Sequence, residues 1–192
     1  GRFVVVVGPD GVGKTTFATA LTARWAGPTS YFHFRPAIRG IMAKTPSNTE
    51  QVRPKPPKEG SRFLGVLRLG AAWVRFSIAY YLSIRPAVRR GDLVVGDRWA
   101  YGYLVQPYSH RYYGPRWLAR VVVRLMPQPD RIVALTASRV VVHKRKQELS
   151  EEEIELELDA WSSLSFAPLT VLDAERPPHE MAADLVETLT QS

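Results

Sequence analysis

Apolar positions along the chain follow two rhythms that alternate. Residues 3–7 form an unbroken run of β-branched and aromatic side chains ending in glycines, the pattern of a strand buried on both faces, and residues 15–25 follow with apolar side chains at helical spacing. Short apolar runs at 31–34, 93–96, 132–135 and 169–172 predict four more strands. Stretches 63–84, 85–90, 115–125, 139–147, 151–164 and 179–190 predict helices, which separate nearly all of them. Strands that alternate with helices need crossover connections, so the pattern predicts an α/β fold. Its core is a five-stranded parallel sheet with helices on both faces and ligands at the carboxyl ends of the strands. Segment 43–62 breaks the rhythm with four prolines, three lysines and two arginines, and predicts a flexible loop.

Length and composition narrow this picture. The 192 residues are 45% apolar, which is enough for one cored domain and too little for two. The absence of cysteine excludes a disulfide scaffold, thiolate metal sites and a cysteine nucleophile, and makes the cytoplasm the expected compartment. Residues 63–84 form the one apolar stretch of membrane length. Arg68 and Arg75 interrupt it, so a buried helix is expected and no membrane partner.

Charge is uneven. Residues 1–150 carry 25 basic and 7 acidic side chains, whereas residues 151–192 carry one and eleven. The basic part attracts anions. Its arginines are spread over several helices rather than gathered in a nucleic-acid motif, so a phosphorylated small molecule is expected and nucleic acid is not.

The motif that carries chemistry is Gly8-Pro9-Asp10-Gly11-Val12-Gly13-Lys14-Thr15, a full match to G-x-x-x-x-G-K-[ST] between a predicted strand and a predicted helix. Glycines let backbone N–H groups turn inward around phosphates, the following helix adds its positive end, Lys14 reaches phosphate oxygens and Thr15 suits Mg²⁺. A second candidate is the strand 93–96 followed by Asp97 and Arg98, an acid for a metal or an attacking oxygen and a guanidinium for a phosphate. The densest basic cluster is Arg139, His143, Lys144, Arg145 and Lys146, read as a lid over 139–150. The acidic run 151–159 reads as a solvated helix face, and His33, His110 and His179 as isolated structural or solvated residues. Tyr101, Tyr103, Tyr108, Tyr112 and Tyr113 crowd the segment between the third and fourth strands.

With these pieces in place the chain resembles the thymidylate kinase family of P-loop nucleoside monophosphate kinases over nearly its whole length. The resemblance rests on GPDGVGKTT at 8–16, IRPAVRRGDLVVGDRW at 84–99, Pro129-Asp130 and TVLDA at 170–174. It implies a three-layer αβα P-loop NTPase fold and a single kinase domain over 1–192 that uses ATP and Mg²⁺. It also implies a homodimer through the long apolar helices. Lys14, Asp97, Arg98 and the lid residue Arg145 would then serve phosphoryl transfer. Gly8, Asp10, Gly11, Val12, Gly13, Lys14, Thr15, Thr16, Lys144 and Ala174 would hold ATP, and Thr15 and Asp97 the metal. Asp10, Arg35, Arg75, Arg98 and Tyr103 would hold the acceptor.

The sequence departs from the family where the acceptor base is read. Phe34-Arg35-Pro36-Ala37-Ile38 stands where Arg-Glu-Pro-Gly-Gly is usual, and Trp99-Ala100-Tyr101-Gly102 replaces the common continuation after Asp-Arg. The expected activity is transfer of the γ-phosphoryl group of ATP to a small acceptor, in first place a nucleoside monophosphate such as dTMP. A hydroxyl acceptor (nucleoside, sugar or natural product) and an inactive ATP-binding regulatory module are the alternatives.

Overall fold

Val4, Val5, Val6 and Val7 are wholly buried, and a strand with no exposed side needs cover on both faces. The computed structural model, which describes residues 1–33, 60–138, 141–142 and 151–191, supplies that cover. The strands are β1 (Arg2–Val7), β2 (Thr29–His33), β3 (Leu93–Asp97), β4 (Arg131–Thr136) and β5 (Leu169–Asp173). They form one parallel sheet in the order β2-β3-β1-β4-β5. Phe3, Val5 and Val7 face one core with Leu69, Phe76, Trp99 and Trp161, while Val4 and Val6 face another with Phe17, Leu21, Met181 and Leu185. Side chains two apart share a face, so this split of β1 is what makes three layers.

The helices are α1 (Lys14–Arg24), α2 (Arg62–Ala79), α3 (Arg85–Arg89), α4 (Gly102–Val105), α5 (Arg116–Leu125), α6 (Glu151–Ser162) and α7 (Pro178–Gln191). Ser61 caps α2 by accepting a hydrogen bond from the Leu64 N–H at 3.3 Å. The end of the proposed loop 43–62 is therefore helix start; residues 43–59 lie outside the described residues.

The helix expected over 63–84 divides. A π-helical turn, Tyr80–Ile84, separates α2 from α3, and the Arg85 N–H donates to the Tyr80 carbonyl five residues back. Pro86 brings no N–H, and its ring would strike the carbonyl four residues earlier in a regular helix; the wider turn relieves both. The expectation that this stretch is buried holds for one stripe only, Gly65, Leu69, Phe76 and Ala79 on α2 and Ile84 at the end of the π turn. Leu67, Val74 and Ile78 face outward.

The strand register carries the functional consequence. Val6 and His33 both pair with Asp97, Val7 pairs with Ala134, and Thr136 with Asp173, so the carboxyl ends of the strands share one rim. The chain reverses there after β3 through Arg98 (φ 65°) and Trp99 (φ 46°), two left-handed residues that are not glycine. Such backbone costs of order 1–3 kcal/mol per residue. Burial of the Trp99 indole offsets it: the ring lies edge-on to Phe3 at 5.1 Å and to Phe76 at 4.5 Å, and its N–H donates to the Pro127 carbonyl.

Candidate functional site

The loop from Gly8 to Gly13 leaves β1 and enters α1 with Gly8, Gly11 and Gly13 at positive φ. At Gly8 a Cβ would also come within 2.9 Å of the Leu135 carbonyl. Gly13 stands at the N-cap of α1 in left-handed conformation, and neither a capping side chain nor a first-turn acid satisfies the N–H groups there. The start of α1 therefore keeps the unsatisfied donors and positive end that suit an anion.

Lys14 folds back over the loop. Its Nζ donates to the carbonyls of Pro9 at 2.7 Å and Gly8 at 3.1 Å, and lies 3.7 Å from Asp10 Oδ1. Burial, reinforced by the Arg98 guanidinium and opposed by Asp97, Asp10 and Glu157, lowers its pKa from 10.5 to about 8. Arg98, itself nearly buried, pairs with Asp10 through Nη2, and its Nε has no partner. The reversal at Arg98–Trp99 thus aims one side chain at the loop and the next into the core.

Asp97 ends β3 and is 2% exposed. Its Oδ2 accepts from His33 Nδ1 at 2.7 Å and from the Tyr31 hydroxyl at 3.4 Å; its Oδ1 is buried without a partner. Burial pushes its carboxyl up, but the His33 hydrogen bond and the charges of Lys14 and Arg98 outweigh that and hold it below the ordinary range. The Tyr31 hydroxyl also meets the Thr15 side chain, so Thr15 and Asp97 are brought to one place. Burial first, and the Asp97 charge next, push that phenol upward.

Two residues of this cluster escaped the sequence reading. Glu157 accepts from Gln106 Nε2 at 2.7 Å through Oε1 and keeps Oε2 buried and unpartnered. Burial raises its pKa and Asp10 adds to the rise, against Gln106, Arg98 and Lys14. It is not part of a solvated face: Ile154, Leu158 and Trp161 set the inward stripe of α6, and position 157 falls on it. His33, read as structural or solvated, is half exposed and bonded to Asp97.

Of the remaining expected residues, Val12 is buried under the loop and Thr16 is exposed on the first turn of α1. Ala174 follows β5, its N–H donating to Thr136 across the same rim. Tyr103 is buried beside His110 and lines an open cavity of about 110 Å³ with Tyr108, Tyr112, Tyr113, Arg116 and Arg120. Arg75 is not gathered into the cluster: it lies on the exposed side of α2. Arg35, Lys144 and Arg145 lie outside the described residues, as does the lid segment 139–150 apart from Val141 and Val142. Among the described residues no group of three or more His, Cys, Asp or Glu side chains is placed to hold a metal. In comparisons with known proteins, neither a family model nor a curated protein matches the chain.

Proposed function

We propose that the chain is a Mg²⁺-dependent ATP phosphotransferase that moves the γ-phosphoryl group to a small acceptor, first of all a nucleoside monophosphate. The observation that carries this reading is the meeting of Lys14, Asp10, Arg98 and Asp97 beside the uncapped start of α1. ATP with its metal supplies an activated phosphoryl group. The residues fit both: Asp97 Oδ1 is an orphaned oxygen, and the Thr15 hydroxyl lies within reach of the same Tyr31. These are hard oxygen donors of the kind Mg²⁺ takes, with phosphate and water completing its shell.

The chain's own groups do the rest by position and charge. Backbone N–H groups of the loop and of the first turn of α1 hold phosphate oxygens. Lys14 exchanges the Gly8 and Pro9 carbonyls for them. Arg98, anchored by Asp10, adds a second positive charge beside Lys14 for the transferred group. Asp10 sets the reach of both cations.

A hydroxyl acceptor is the second reading, and one observation favours it. A phosphate acceptor is already nucleophilic, whereas a hydroxyl must lose a proton, and Asp97 is an ionised carboxylate at the same rim whose Oδ1 is open to that proton when it does not hold the metal; its lowered pKa makes it a weak base, which keeps this reading second.

A coupled ADP-release assay over deoxynucleoside monophosphates, nucleosides and sugars, with and without Mg²⁺, tests both readings. Acceptor-dependent turnover that falls at least about 100-fold in Lys14→Ala is expected. No turnover with any acceptor, together with ATP affinity unchanged in that variant, would sink the proposal.

A further inference from the structure

Between Gly60 and Pro129 the chain contains eleven arginines and two acids, Asp92 and Asp97. Both acids are buried, and Asp92 is paired with Arg90 at 2.9 Å. The outer face of this segment is therefore cationic and apolar with no carboxylate on it. On α5 the exposed positions fall in two rows at i, i+4 spacing: Arg116, Arg120 and Arg124 beside Trp117, Val121 and Leu125. Trp117 is 66% exposed and Leu125 67%. On α2 and the π turn the outward stripe runs through Leu67, Val74, Ile78, Tyr81 and Leu82, with Arg68 and Arg75 among them. The two faces join where the Trp73 indole N–H donates to the Leu125 carbonyl at 3.4 Å.

We infer that this joined face of α2 and α5 docks the protein on an anionic lipid bilayer. Charge chooses the occupant. Against the homodimer that the resemblance implied stands the row on α5: a second copy meeting that helix about a two-fold axis would set Arg116, Arg120 and Arg124 against the same row, with no exposed acid from residues 60–129 between them. Anionic headgroups match those rows. The apolar row enters the acyl boundary, Trp73, Trp117 and Tyr81 lie at the level such amphipathic rings prefer, and the arginines reach lipid phosphates. Arg68 and Arg75, inside the apolar stripe, have stems long enough to lie along it with their heads in water.

The helical run Arg62–Arg89 is long and apolar enough to cross a membrane. Leu69, Phe76 and Ala79 are committed to the core, however, so it lies along a bilayer rather than through one. Arg68 and Arg75 argued against a membrane partner in the sequence. They exclude a span and leave a surface open.

The test is co-sedimentation of the full chain with vesicles of phosphatidylcholine alone and of phosphatidylcholine mixed with phosphatidylglycerol, at low and high salt. Light scattering reports the oligomeric state, and circular dichroism confirms that each variant is folded. Binding is expected only to the anionic vesicles and to weaken with salt. Arg116→Gln/Arg120→Gln/Arg124→Gln should reduce it roughly 100-fold. Trp117→Ser/Val121→Ser/Leu125→Ser should reduce it more than about tenfold, which a purely electrostatic contact would not. Absent or lipid-independent binding overturns the inference, as does full binding by either triple variant. So does a dimer that the serine variant dissociates, because the face would then belong to a second copy.

Discussion

Lys14 is the group whose charge its surroundings disturb most usefully. In the protein alone its ammonium is half titrated near pH 8 instead of 10.5, chiefly because it is buried and beside Arg98. The difference is worth about 3 kcal/mol. A triphosphate against the loop favours the charged form and restores the proton. The sign follows directly: the free protein has lost a proton that the complex holds, so binding takes one up and weakens as pH rises. At pH 8 the uptake should be about half a proton and at pH 9 close to one, and ATP affinity should fall about fivefold between them. Titration calorimetry in two buffers of different ionisation enthalpy measures the uptake. Lys14→Arg, which cannot deprotonate in this range, should bind with none. Flat affinity between pH 8 and pH 9 in the unmodified chain, or equal uptake in the arginine variant, would refute the reasoning.

Two further outcomes are expected. Glu157→Gln removes a carboxylate whose pKa burial and Asp10 raise; its ionised form is disfavoured by folding above that pKa, so the variant should raise the urea midpoint at pH 7 and lose the gain on acidification. An unchanged midpoint at both pH values would contradict the assigned environment. Gly13→Ala places a Cβ on a residue at φ 106° and should cost about 1–2 kcal/mol in chemical denaturation while weakening ATP binding. A neutral effect on both would mean that the loop does not need that conformation.

The strands were legible because burial on both faces leaves unbroken apolar runs; all five lie within two residues of the expected bounds. Their order in the sheet was not, since it depends on crossovers that no local pattern encodes. The short turns Trp99–Tyr101 and Tyr108–His110 were missed because three residues carry no period. His33 escaped because the expected strand ran to position 34, while the register puts its end at 33, level with Asp97. Glu157 was readable: a glutamate in step with Ile154, Leu158 and Trp161 cannot be fully solvated. The outward position of Arg75 was readable too, because the inward Leu69 and Phe76 are seven apart.

The left-handed pair at Arg98 and Trp99 makes the interior answerable to the chemistry. Adjacent side chains on one tight reversal share its backbone, so a backbone shift that reseats the indole among Phe3 and Phe76 also moves the guanidinium relative to Asp10. Selection on how well those rings interlock is, by the same covalent linkage, selection on where the neighbouring positive charge stands.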